Sequence, residues 1–176
     1  MTMNDWSKAV RQVEARLARV YRIPIVTRDV PDPLTGDLDG AEIHIDYAVE
    51  DELRVFLLAH LFGHTVQWNT DPVALETGQL LTPPVSEDAL AHVLAYEHQA
   101  AQYSMTLLHE AGLAALDQWL ADFSATDLAY LSHFYRTGDK REFESFRVTG
   151  APLLEPLPVP AFTPTQKRFR VDGIVI

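Results

Sequence analysis

GAEIHIDYAVEDELRVFLLAHLFGHTVQW, residues 40–68, changes period midway. Over 41–47, Ile43, Ile45 and Tyr47 alternate with Glu42, His44 and Asp46, the period-two pattern of a strand with one buried face. Over 50–68, Leu53, Phe56, Leu57, His60, Leu61 and His64 fall on overlapping faces at helical spacing, and Gly63 is tolerated inside. A strand running into a long helix predicts an α+β arrangement. His60 and His64 stand four apart, about 5.4 Å of rise along a helix, so both imidazoles project from one face and can share an ion. Taken alone, the pair is better explained by one core and one surface histidine.

Upstream, Val10, Val13, Leu17 and Val20 recur among charged residues and predict an amphipathic helix over 5–21. Residues 22–30 are β-branched and interrupted by Pro24, and 31–40 gather Pro, Gly and Asp, so a strand and then a loop are expected. That strand is expected to pair with 41–47 in a small antiparallel sheet. Downstream, the polar, Pro-containing stretch 69–84 predicts a loop. A second long helix is expected over 86–110, with Ser86 as N-cap and Gly112 as stop. Two short helices follow over 113–122 and 127–136, the second capped by Thr126. From 150 onward, Pro152, Pro156, Pro158, Pro160 and Pro164 exclude helix, and 171–176 is apolar. The chain is therefore expected to form one mainly helical α+β domain over 1–149, with an extended tail over 150–176 packed on it.

A chain of 176 residues buries about 70% of the surface its unfolded form exposes, enough for a sizeable core. With 47% hydrophobic and 22% charged residues, disorder is disfavoured. The 14 basic against 25 acidic residues give a formal charge of −11, which argues against nucleic-acid binding, since that rests on neutralising phosphates. There is no cysteine, which excludes disulfides, thiolate catalysis and cysteine-ligated zinc, and leaves histidine and carboxylate as metal ligands. Residues 1–18 carry Asp5, Lys8, Arg11, Glu14 and Arg16, so no apolar leader is expected there, no later stretch approaches a membrane span, and a cytoplasmic placement follows.

The segment 40–68 resembles the active-site block of the ImmA/IrrE metallopeptidase family, a gluzincin-type scaffold in which a strand leads into a helix carrying H-E-x-x-H. Here the motif reads His60-Leu61-Phe62-Gly63-His64. The family takes its third zinc ligand from a glutamate about a helix downstream, followed by small and aromatic residues, and Glu97, Ala100 and Tyr103 in YEHQAAQYSMTLL match that block. The resemblance covers roughly 23–108 and implies His60, His64 and Glu97 as ligands of Zn2+ on a metallopeptidase-like domain. It departs at Leu61, where the family holds its general base. Leucine accepts no proton, and a positioned base contributes on the order of 10²–10⁴ in rate.

Three readings stand beside one another. The first is a zinc-dependent hydrolase-like site with a substitute base, for which Glu110, His98, Tyr103 and His133 are low-ranked candidates, with His44, His92, Tyr96 and His109 also near in sequence. The second is a non-haem Fe2+ enzyme, because two histidines and one carboxylate also form that facial set. The third is a non-catalytic regulatory or peptide-binding pseudoenzyme. A peptide or protein is the expected partner, and strand 41–47, if it lies at an edge, is expected to pair with it. On the first reading, Leu61→Glu is expected to create peptidase activity. Glu97 has a plain alternative as a surface carboxylate. His98 lies about 100° round the helix from it and is expected to be solvated or outside the ligand set. His109 fits a helix end, where it complements the dipole.

Overall fold

The computed structural model describes residues 2–30, 35–80 and 82–167. The chain runs α1 (Met3–Arg16), β1 (Ile25–Arg28), β2 (Gly36–Leu38), β3 (Ile43–Asp46), α2 (Asp51–Thr70), α3 (Pro72–Leu80), α4 (Glu87–Glu110) and α5 (Asp117–Thr137). It is mainly helical, as expected.

Helix α2 is the centre. Every residue from Val55 to Trp68 is buried, the condition of a helix covered on all sides rather than along one stripe. It packs on α1, on α4 and on the sheet. The first helix continues as a π-helical turn, Leu17–Tyr21, that ends at Arg22 in a left-handed conformation. Val10, Val13 and Leu17 are buried as expected, while Val20 is exposed, because the wider turn takes it off the apolar stripe.

The sheet is mixed, not antiparallel. Its order is β1-β3-β2, with β1 parallel and β2 antiparallel to β3. The short strand β2 falls where a loop was expected. Strand β3 is therefore central, which removes the expectation that it is an edge that pairs with a peptide. Covered on both sides, it buries His44 as well as Ile43 and Ile45, and Tyr47 beyond it is exposed.

Helix α4 starts where Ser86 caps it, the hydroxyl accepting from Ala89 N at 3.3 Å, and Gly112 follows its end at φ 77°. Two other expectations are corrected. Residues 72–80 are helical rather than loop, because Pro72 occupies the first helical position, where its missing N–H costs nothing, and Asp71 Oδ1 accepts from Val73 N at 2.9 Å. The stretch 113–136 holds one continuous helix after a 3-10 turn, Ala114–Leu116, instead of two short ones. Thr126 does not cap; its hydroxyl donates back to Asp122 O at 2.8 Å inside α5.

The tail is extended and packed as expected over 150–167. Leu154, Leu157, Val159 and Phe162 lie against the core. Thr106 Oγ1 donates to Leu157 O at 2.7 Å, and Thr165 N and Lys167 N donate to Gly40 O and Asp39 O. The apolar end 171–176 lies outside the described residues. Among those described, no helix is long and apolar enough to cross a membrane.

Candidate metal centre

His60 and His64 project from one face of α2, and Glu97 meets them from α4. The approach depends on Gly63, between the two histidines. A Cβ there would stand 2.8 Å from the Cα and carbonyl carbon of Ala100, and nearer still to its oxygen. The glycine expected to be merely tolerated inside α2 is thus what lets the two helices touch. Ser104 Oγ, 2.8 Å from the carbonyls of both Ala59 and Ala100, ties the same crossing.

The three side chains are buried, with 4%, 3% and 9% of their surfaces exposed. His64 Nε2 lies 3.0 Å from His60 Nε2 and 3.1 Å from Glu97 Oε2, and His60 Nε2 lies 3.5 Å from the same oxygen. A tetrahedral zinc ion with bonds of about 2.0–2.1 Å holds its ligand atoms about 3.3–3.4 Å apart. The triangle of donors has that size, so the cluster can hold a metal ion.

Protonation points the same way. Gln67 Nε2 donates to the backbone carbonyl of Tyr96 at 2.8 Å and to Gln99 Oε1 at 2.9 Å. A backbone carbonyl can only accept, so the Gln67 oxygen is the atom that faces His64 Nδ1 at 2.9 Å. Nδ1 therefore carries a proton, and Nε2 is the atom turned toward the Glu97 carboxylate. A proton or a metal ion between Nε2 and that carboxylate joins the two. Burial, and then the charge on His64, depress the His60 pKa to about 3, so that this imidazole is neutral near pH 7. Burial pushes Glu97 up, but the charge and hydrogen bond that His64 brings when it holds an Nε2 proton outweigh it and set its carboxyl below the ordinary range. Two neutral imidazoles and a carboxylate are the form in which these groups bind metal.

Gln67 is thus a positioning residue that sequence reading missed; its only local signal is its place three residues after His64. Such partners of metal-ligating histidines typically contribute about 10–100-fold in affinity. Gln67→Leu is expected to weaken zinc binding by about that factor in a chelator-competition titration while the fold survives. Wild-type affinity in that variant would remove Gln67 from the site. Tyr96, whose ring stacks on His64 at 4.4 Å, and Phe56, stacked on His60 at 5.3 Å, shield the cluster from either side.

Of the substitute bases weighed from sequence only Tyr96 comes to the triad, and it does so with its ring, its hydroxyl accepting from Trp68 Nε1 at 2.8 Å. Glu110 is exposed at the end of α4 and accepts from Arg16 Nε at 3.0 Å and Tyr21 OH at 2.6 Å. His98 and His92 are exposed. Tyr103 is buried in the core, its hydroxyl pKa raised by burial and by Asp71. His133 packs on Phe146 and reaches Thr137, His109 bonds Asp117 at 2.8 Å, and His44 lies between Asp37 and Glu42. Leu61 is fully buried under the sheet, its Cδ1 only 3.0 Å from where a Gly36 Cβ would be. A glutamate there would enter the apolar core, so the expectation that Leu61→Glu creates activity is withdrawn.

An acid that sequence reading did not single out stands close by. Asp127 on α5 is buried, and burial, then the charge of Glu97, push its carboxyl well above the usual carboxylate range. Among the described residues it lines a cavity of about 700 Å³ between α2, α5 and 141–149. Phe56 lines that cavity too and backs onto His60. Comparison of the chain with protein-family models, with curated proteins and with solved structures finds no match.

Proposed function

We propose that His60, His64 and Glu97 hold a zinc ion in a hydrolase-type site. The observation that carries this reading is the donor triangle of 3.0, 3.1 and 3.5 Å, in which Gln67 fixes Nε2 of His64 inward. The sequence resemblance to the ImmA/IrrE metallopeptidases supports the same ligand set. Three protein ligands leave one tetrahedral position free, the arrangement of catalytic rather than closed structural zinc sites. Zinc there supplies Lewis-acid chemistry. The chain's own part is to keep His60 unprotonated, to exclude bulk water behind Phe56 and Tyr96, and to place the acid Asp127 beside the site.

A second reading, a non-catalytic binding module built around the same centre, is favoured by one observation: the position that would hold the usual base is a leucine packed under the sheet. The test comes in two steps. Elemental analysis of protein purified without chelators or a metal-affinity tag is expected to give close to one zinc per chain, and His60→Ala and Glu97→Ala, still folded, are expected to lose nearly all of it. Wild-type protein without metal would overturn the reading, and iron would turn it toward oxygen-dependent chemistry. Hydrolysis of unstructured peptide by loaded wild-type protein, absent from both variants, would separate the enzyme from the binding module.

A further inference from the structure

The cavity beside the metal centre is built from aromatic rings in an unbroken series. Phe56 stacks on Phe123 at 3.9 Å, Phe123 meets Trp119 and Phe143 at 5.7 Å each, and Phe143 meets Tyr130 at 5.8 Å. All five line the cavity. Its volume, about 700 Å³, lies within the range of roughly 300–1,000 Å³ that small-molecule sites occupy.

Most of its polar groups are already engaged. Trp119 Nε1 donates to Glu52 at 2.9 Å, Asp122 Oδ1 accepts from Ala151 N at 2.8 Å, Thr126 Oγ1 accepts from Val148 N at 3.0 Å, and Arg147 is paired with Glu144. Asp127 is different. It is 5% exposed, and its carboxyl has no hydrogen-bond or ion-pair partner among the described residues. Nor does it belong to the metal-binding group. Its oxygens open onto the cavity, so their partners must come from whatever fills it, solvent or ligand. Five acidic residues against two arginines line the cavity among the described residues, so the missing partner has positive charge. Aromatic faces favour a cation for the same electrostatic reason, through the negative face of each ring.

We propose that this cavity binds a primary ammonium ion carried on an apolar or aromatic body, the ammonium donating to Asp127 and the body lying among Phe56, Trp119, Phe123, Tyr130 and Phe143. A primary ammonium has three N–H donors for a carboxyl that receives none from the protein, and its positive charge offsets the burial and the Glu97 charge that raise that carboxyl's pKa. A neutral ligand can supply a hydrogen bond to that carboxyl but no charge, and an anion meets an acidic lining. The site stands whether or not the neighbouring triad holds metal, and if the triad is catalytic the ligand is its substrate or product.

Titration calorimetry of the full chain with 2-phenylethylammonium, 2-phenylethanol and phenylacetate tests this, with Trp119 fluorescence as a parallel signal. The ammonium is expected to bind saturably, at least about tenfold more tightly than the alcohol, with phenylacetate weaker still. Asp127→Asn is expected to cost the ammonium at least about tenfold in affinity while leaving the alcohol and the bound metal unchanged. Unchanged metal content separates this site from the triad. Equal affinity for the ammonium and the alcohol, preference for phenylacetate, no saturation by the ammonium below about 10 mM, or wild-type ammonium affinity in Asp127→Asn would each overturn the proposal. The three-ligand comparison on the wild-type chain decides it even if the variant does not fold.

Discussion

Leu61→Glu is expected to cost the protein its stability and to gain no activity. The side chain is fully buried beneath the sheet and abuts Gly36 of β2, so a glutamate there has neither water nor a basic partner. Full burial raises a carboxyl pKa by up to about 3–5 units, and at pH 7, where the group ends protonated, the cost is limited to about 2.7 units above the ordinary value of about 4.3, or about 3.7 kcal/mol at 1.36 kcal/mol per unit, before any cost of packing. Net stabilities of folded domains are about 5–15 kcal/mol. The variant is therefore expected to melt at least about 10 °C below wild type, or to fail to fold, by circular dichroism. A variant that melts within a few degrees of wild type and hydrolyses peptide would show that this position reaches the triad, contrary to the packing described.

Gly63→Ala should be nearly as damaging, by a different route. The added methyl would stand 2.8 Å from the Cα of Ala100, and backbone atoms of a neighbouring helix cannot rotate away. Overpacking of this kind costs about 1–3 kcal/mol, or about 2–12 °C in melting temperature for a chain of this length. Relief requires α2 to move off α4, which takes His60 and His64 away from Glu97. The variant is expected to lose most of its bound metal as well as stability, measured by elemental analysis beside thermal melting. Full metal content with an unchanged melting temperature would mean that the helices do not meet at this residue.

What could be read in the sequence was what local signals specify. The Ser86 cap and the stop at Gly112 bracket α4, and the switch from period two to helical spacing marks β3 and α2. That His60, His64 and Glu97 form one group was legible because two of its members share one helix face and Glu97 follows in a block resembling a known family. What was missed depends on neighbours distant in the chain. The direction of β1 against β3 is decided by tertiary packing, since both antiparallel and parallel pairing satisfy the same alternation. Pro72 and Thr126 were misread because each residue type has two uses. Proline opens a helix as well as ending one, and threonine bonds back to the preceding turn as well as capping. Gln67 and Asp127 carry no motif at all. The first matters because α4 presents the carbonyl of Tyr96 to it, and the second because α5 brings it to a cavity bounded by α2 and the 141–149 segment.

The donors of the metal centre come from α2 and α4, and His64 and Glu97 are 33 residues apart in the chain. An ion held between them is a cross-link. Closing a loop of that length removes conformational freedom from the unfolded chain worth about 4 kcal/mol in the entropy model used for disulfides. A chain with no cysteine would then have a staple set by the free concentration of a metal ion instead of by redox potential.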